Sequence, residues 1–220
     1  MPRTEVLCLA NSRKLGGRCF AGLTSDGAWV RPVTATPKGE LPNEVCILDT
    51  GKRVRPLDIV KMKLKRHEPR SYQPENWIVG KKEWNFVRAQ TIGNVHELLD
   101  DACADDSPIF GTRTDRVTWP RIQEAPLKAS LTLVRASRPR FYIRQRFGSS
   151  TQTRVRFVHG GFEYDLSVSF EFTLPHSDLR HYEPSTNWYL TISLGEPFAD
   201  QGNSCFKLVA GALEIPGTGP

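Results

Sequence analysis

A chain of 220 residues with a formal charge of +6 and a pI near 9.2 can bury a full core unaided, and its basic balance favours an acidic partner. Its five cysteines, odd in number and without a CxxC pair, exclude a disulfide framework and a zinc ribbon, so reduced thiols are expected. No apolar run approaches the ~20 residues of a membrane span or the core of a secretory leader, which makes the cytoplasm, bacterial in type, the expected address.

In chain order, short apolar runs over residues 4–10, 18–23, 28–33 and 57–64 alternate with turn-forming clusters, the pattern of a small barrel or sandwich. Gly16-Gly17 and Ser25-Asp26-Gly27 supply positive-φ turns, so the runs 18–23 and 28–33 are expected to pair as neighbours. Val95, Leu98, Leu99 and Ala102 then recur at helical spacing behind Asn94, a fitting N-cap, which predicts one helix over 94–103. Residues 105–126, rich in Asp, Pro, Gly and Thr, read as an irregular connection. Six further strand candidates follow at 130–136, 140–147, 153–158, 162–168, 188–193 and 205–213, before a tail over 216–220. The expected fold is mainly β, two barrels joined by one short helical connector, divided as 1–90, 91–126 and 127–215.

Charge is unevenly spread: residues 1–70 and 127–162 are net basic, and 71–126 and 163–220 are net acidic. The densest block is Arg138, Arg140, Tyr142, Arg144 and Arg146, whose even positions share one strand face while Phe141, Ile143 and Phe147 take the other. Arg154 and Arg156 repeat the alternation. A hairpin in even register would place them beside Arg144 and Arg146, crowding like charges in a way that stability alone does not favour. Guanidinium groups grip phosphate oxygens, and a tyrosine among them offers a stacking surface for an unpaired base. The competing reading is a solvated edge hairpin whose charges block aggregation.

A second basic group lies near the start, where Arg13, Lys14 and Arg18 flank Gly16-Gly17 in a turn that resembles a phosphate cradle but lacks P-loop spacing. Trp29 and Arg31 share one face of the next strand, either to stack on and clamp a nucleotide or as a core residue beside a snorkelling cation. His67, His96, His159, His176 and His181 are too dispersed for a metal motif, no nucleophile occupies a recognisable elbow, and Asp58 near Lys61 and Lys63 lacks a second carboxylate for a metal nuclease. No cofactor, metal or catalytic residue is expected.

The strings Cys8-Leu9-Ala10-Asn11-Ser12-Arg13-Lys14, Gly17-Arg18-Cys19, Ala21-Gly22, Trp29-Val30-Arg31-Pro32-Val33 and Gly39-Glu40-Leu41 resemble the bacterial dual OB-containing domain family. Glu75-Asn76-Trp77, Asp115-Arg116-Val117, Ser193-Leu194-Gly195-Glu196-Pro197-Phe198 and Lys207-Leu208-Val209-Ala210 extend the likeness over nearly the whole chain. The resemblance implies two OB-like barrels and a nucleic-acid-related role, and carries over no catalytic residues. OB folds commonly bind single strands across one face, joining a basic groove to stacking aromatics. The expected function is therefore a sensor or adaptor for single-stranded DNA or RNA, without catalysis. The alternatives are a protein-interaction subunit of a larger assembly and a reader of a modified base or nucleotide in a pocket lined by Trp29 or Trp77.

Overall fold

Alternation along the strands decides which side of the first sheet is buried. In a computed structural model that describes residues 3–14, 16–80, 84–145, 150–172 and 181–217, six strands form this sheet: β1 (Arg3–Lys14), β2 (Gly17–Leu23), β3 (Trp29–Val33), β4 (Asp58–His67), β5 (Asn76–Val79) and β6 (Asn85–Ala89). Val6 and Cys8 of β1, Phe20 of β2, Val30 of β3, and Val60, Met62 and Leu64 of β4 all point inward and are buried together around Trp84. β1 pairs with β2 on one edge and β4 on the other, which closes β1-β2-β3-β5-β4 into a five-stranded barrel with β6 added outside β4. A register shift between Cys8 and Ala10 bends β1 so that it serves both neighbours. The expected pairing of β2 with β3 is present; the parallel pairing of β3 with β5 has no short-range signal in the sequence.

The helix α1 (Ile92–Asp101) follows, starting two residues before the sequence-predicted start, with Thr91 in the cap position. Asn94 is inside the helix and donates to the Gln90 side chain at 3.3 Å. The connection is more ordered than its composition suggests: β7 (Arg116–Val117) and a second helix, α2 (Trp119–Glu124), lie within it. α2 escapes pattern reading because it is a single short segment that buries only Ile122.

The second unit contains β8 (Leu131–Ser137), β9 (Arg140–Gln145), β10 (Thr151–His159), β11 (Phe162–Val168), β12 (His181–Tyr182), β13 (Asn187–Phe198) and β14 (Ser204–Glu214). They run in the order β12-β9-β10-β11-β14-β13-β8, with β7 on β14, and curl around Phe141, Val155, Tyr164, Leu166, Leu190 and Val209. The molecule is mainly β: a closed barrel and a second curled sheet, as expected for paired OB-like units. Lys207 of β14 is buried, donating to the carbonyls of Thr112 at 2.6 Å and Thr114 at 2.8 Å, so it ties the connector to the second sheet. Burial pulls its ammonium down to about 7.

The two units pack through the outer face of the first barrel. Leu7, Leu9, Leu23 and Ile59 meet Leu133 and Tyr189, and Leu99 of α1 closes the layer. Approach is close at Gly211, where an added Cβ would stand 2.0 Å from the Leu9 carbonyl oxygen, so only glycine fits. A polar clasp fixes the register. Glu75 accepts from the Ser130 hydroxyl at 2.6 Å and from the Leu131 amide at 3.1 Å, Arg31 donates to the Ser130 hydroxyl at 3.0 Å, and Gln73 donates to the Leu194 carbonyl at 3.0 Å.

Candidate nucleic-acid interface

β9 and β10 pair in even register, so their arginines share one face, but the offset differs from the one expected, and Arg154 and Arg156 do not come to lie opposite Arg144 and Arg146. Arg156 faces Arg140, Arg154 faces Tyr142, and Gln152 faces Arg144. The next strand, β11, sets Asp165 opposite Arg156 and thereby supplies the missing counter-charge. Arg154, its side chain 11% exposed, donates from Nε to Asp165 Oδ1 at 2.7 Å, to the Asp165 carbonyl at 2.6 Å and to Ser167 at 3.0 Å. Arg156 lies 3.6 Å from Asp165 and 3.7 Å from Glu163, and Arg140 lies 2.9 Å from Glu183.

Tyr142 donates its hydroxyl to Asp165, and burial followed by that carboxylate raises its pKa. Burial pushes the Asp165 carboxyl up, but the Tyr142 hydroxyl and the Arg154 guanidinium outweigh it and hold it below its ordinary value. Arg138, in a left-handed turn at φ 47°, and Arg144 are exposed and meet no carboxylate among the described residues. Arg146 lies outside those residues.

The N-terminal group is split. Arg13 and Arg18 come together on Glu171, at 2.8 and 3.5 Å. Lys14 ends β1 opposite Gly17, and its side chain lies outside what the structure describes. Arg31 is 6% exposed and committed to the clasp with Ser130, because the outer face it shares with Trp29 is covered by the second unit. That burial pulls its pKa down, against the raising influence of Glu75. Trp29 is half-buried against Ala10, Ala21, Leu131 and Ala210.

One cationic row was not singled out from the sequence. Val60, Met62 and Leu64 point into the barrel, so Lys61, Lys63 and Lys65 stand on the outside of β4, and Arg3 is the cross-strand partner of Lys63. Among the described residues none of the three lysines has a carboxylate within ion-pair distance. Glu5, opposite Lys61, lies 3.8 Å from Arg88 instead. The alternation Lys61-Met62-Lys63-Leu64-Lys65 is legible in the sequence.

Beside this row opens a cleft of about 1200 Å³. Thr4, Glu5 and Leu64, chain neighbours of the cations, line it together with Trp29, Trp77 and Leu98 of α1. Trp77 is backed by the His67 ring, 4.8 Å away between centroids. The cleft therefore combines apolar walls and two indoles with the polar groups of Glu5, Asp26, Arg88 and Glu97, at the edge of a positive strip.

Among the described residues no group of three or more His, Cys, Asp or Glu is placed to hold a metal ion. Cys8, Cys46 and Cys205 are buried, and burial pushes the Cys46 and Cys205 thiols up to about 12, which keeps them protonated and poorly nucleophilic. No described helix is long and apolar enough to cross a membrane.

A family model described as a dual OB-containing domain matches residues 4–212. Among solved structures, a murine DNA-binding protein bound with double-stranded DNA aligns over 98% of this chain and 98% of its own, at 10% identity and a TM-score of 0.32. No curated protein matches the chain.

Proposed function

The chain belongs to the dual OB-containing domain family, and on that premise we propose that it is a nucleic-acid-binding module, a sensor or adaptor for single-stranded DNA or RNA, without chemistry of its own. The observation that carries this reading is the row Arg3, Lys61, Lys63 and Lys65, in which Arg3 sits across from Lys63 and the one facing acid, Glu5 opposite Lys61, is within ion-pair distance of Arg88 and of none of the lysines. Such crowding destabilises the fold unless a polyanion relieves it. Phosphates laid along the row would leave an adjacent unpaired base free to enter the cleft and stack on Trp29 or Trp77, which a duplex cannot offer. The exposed Arg138 and Arg144 extend the positive surface on the second unit.

The test is fluorescence anisotropy with labelled single-stranded DNA, single-stranded RNA and duplex at several salt concentrations. Four phosphate contacts on a single strand give a logarithmic salt slope near −3, from about 0.7 per phosphate. Absence of binding at low salt would reject the module and leave a protein partner as the occupant of the basic row. The size of the cleft supports a second reading, a reader of a single nucleotide or modified base. Tight, salt-insensitive binding of a mononucleotide would favour it over the strand.

A further inference from the structure

Where the β1–β2 turn meets the segment after β11, three guanidinium groups face one carboxylate oxygen. Glu171 Oε1 lies 2.8 Å from Arg13, 3.5 Å from Arg18 and 4.0 Å from Arg53. They line a notch of about 410 Å³ whose other walls are Gly16, Gly17 and Asn43, so among the described residues no apolar side chain contributes to it.

One of the cations, Arg18, is held in place before any ligand arrives. The Arg18 side chain is only 6% exposed, and Asn11 fixes it by accepting from Nε at 2.9 Å on its side-chain oxygen and from Nη2 at 2.6 Å on its carbonyl. Asn11 is itself anchored through its side-chain amide to the Val54 carbonyl at 2.8 Å. These bonds leave Arg18 Nη1 directed at the notch. The turn is pinned by Asn43, which donates to the Gly16 carbonyl at 3.0 Å, and Gly16, at φ 87°, has open space where a side chain would stand.

Charge does not balance in this arrangement. Among the described residues three guanidinium groups against one carboxylate leave a surplus of two positive charges, and the carboxylate comes from a side chain that is 51% exposed and faces all three through a single oxygen. A phosphate monoester carries about −1.5 to −2 at neutral pH and three acceptor oxygens, which suits three guanidinium forks better than one carboxylate does.

We propose that this notch is a binding site for a terminal phosphate group and that Glu171, supplied by the second unit, occupies it as a displaceable stand-in for the anion. Arg13 bonding holds the Glu171 carboxyl below its ordinary range, so the stand-in is ionised at neutral pH and competes with phosphate. The site does not rest on the strand reading, since its residues are distinct from the β4 row and a chain indifferent to long nucleic acid could still take a phosphate here.

The test is calorimetric titration of the full chain, wild type and Glu171→Gln, with inorganic phosphate, a nucleoside 5′-monophosphate, and a short oligonucleotide bearing either a 5′-phosphate or a 5′-hydroxyl. Apparent affinity scales with the fraction of molecules whose notch is open. A notch open about a tenth of the time therefore tightens about tenfold for phosphate in the Gln variant. Adding Arg13→Ala and Arg53→Ala to that variant abolishes the gain; both side chains are exposed enough for the fold to survive their loss. Equal binding of inorganic phosphate and the nucleotide assigns the free group as the ligand, and preference for the phosphorylated over the hydroxyl strand assigns a strand end. Phosphate binding no tighter in Glu171→Gln than in wild type overturns the proposal and makes the cluster an ion pair that only joins the units. A gain that survives loss of both arginines overturns it too.

Discussion

The β4 lysine row and the β9–β10 arginine face begin from the same sequence device, cations at alternate strand positions with apolar residues between them, and end in different electrostatic states. On β9–β10 the neighbouring strand brings Asp165 and Glu163, and Glu183 follows β12, so Arg140, Arg154 and Arg156 are each within ion-pair distance of a carboxylate. On β4 the neighbours are Arg3 across one edge and Asn85 across the other, and Glu5, opposite Lys61, brings an acid to the row. Charge density along a strand is therefore a poor guide to a polyanion site. What decides is the charge of the strands hydrogen-bonded to it, because that sets whether the local field is spent inside the fold or left for a partner.

The comparison can be broken most sharply on the lysine side. Replacing Lys61, Lys63 and Lys65 together by Gln should flatten the salt slope by about 2 and weaken single-strand binding roughly fiftyfold at about 0.15 M salt, from 0.7 per phosphate lost. Since no described ion pair is removed, the denaturation midpoint should stay or rise; unchanged affinity would transfer the interface to the arginine face.

On that face the larger effect should fall on stability. Asp165→Asn strips the carboxylate from a nearly buried Arg154 and should cost about 2–3 kcal/mol, less than a fully buried pair because Asp165 is partly open to solvent. The pH dependence has a matching sign. The folded carboxyl of Asp165 titrates below its ordinary value, so its stabilisation is whole above that value, near 3.9, and is lost as pH falls through the depressed one. The Asn variant should show a shallower acid limb in a stability-versus-pH curve, and the lysine variant an unaltered one.

The smallest effect belongs to Arg140→Ala. Its pair with Glu183 is about half exposed on both sides, so the stability change should stay within about 1 kcal/mol. A change of about 0.7 in salt slope on this substitution would instead draw the arginine face into the interface.

Much of the architecture was legible in the chain. Period-two alternation located the long strands, and glycine turns paired β2 with β3 because both signals act within a few residues. The common face of the β9 and β10 arginines was legible for the same reason, whereas the offset that sets Arg156 opposite Arg140 was not. Arg31 and Trp29 were correctly set on one face of β3, but the covering of that face by the second unit was not, since the contact joins residues about a hundred positions apart. Glu75-Asn76-Trp77 was legible as part of the family likeness, but the role of Glu75 in joining the two units is visible only where it meets Ser130.

The sequence by itself determined the β architecture, the positions of most strands and which side chains share a face, because backbone pleating converts residue spacing directly into orientation. It also set the basic blocks, as counts along the chain. Only the tertiary structure decided which cations are neutralised, which are buried and which remain exposed. Those outcomes depend on strands brought together from distant parts of the chain, as Arg154 with Asp165, Arg31 with Ser130, and Arg13, Arg18 and Arg53 around Glu171. Coulombic interaction acts over a few ångströms of space, and only the fold relates that distance to separation in sequence.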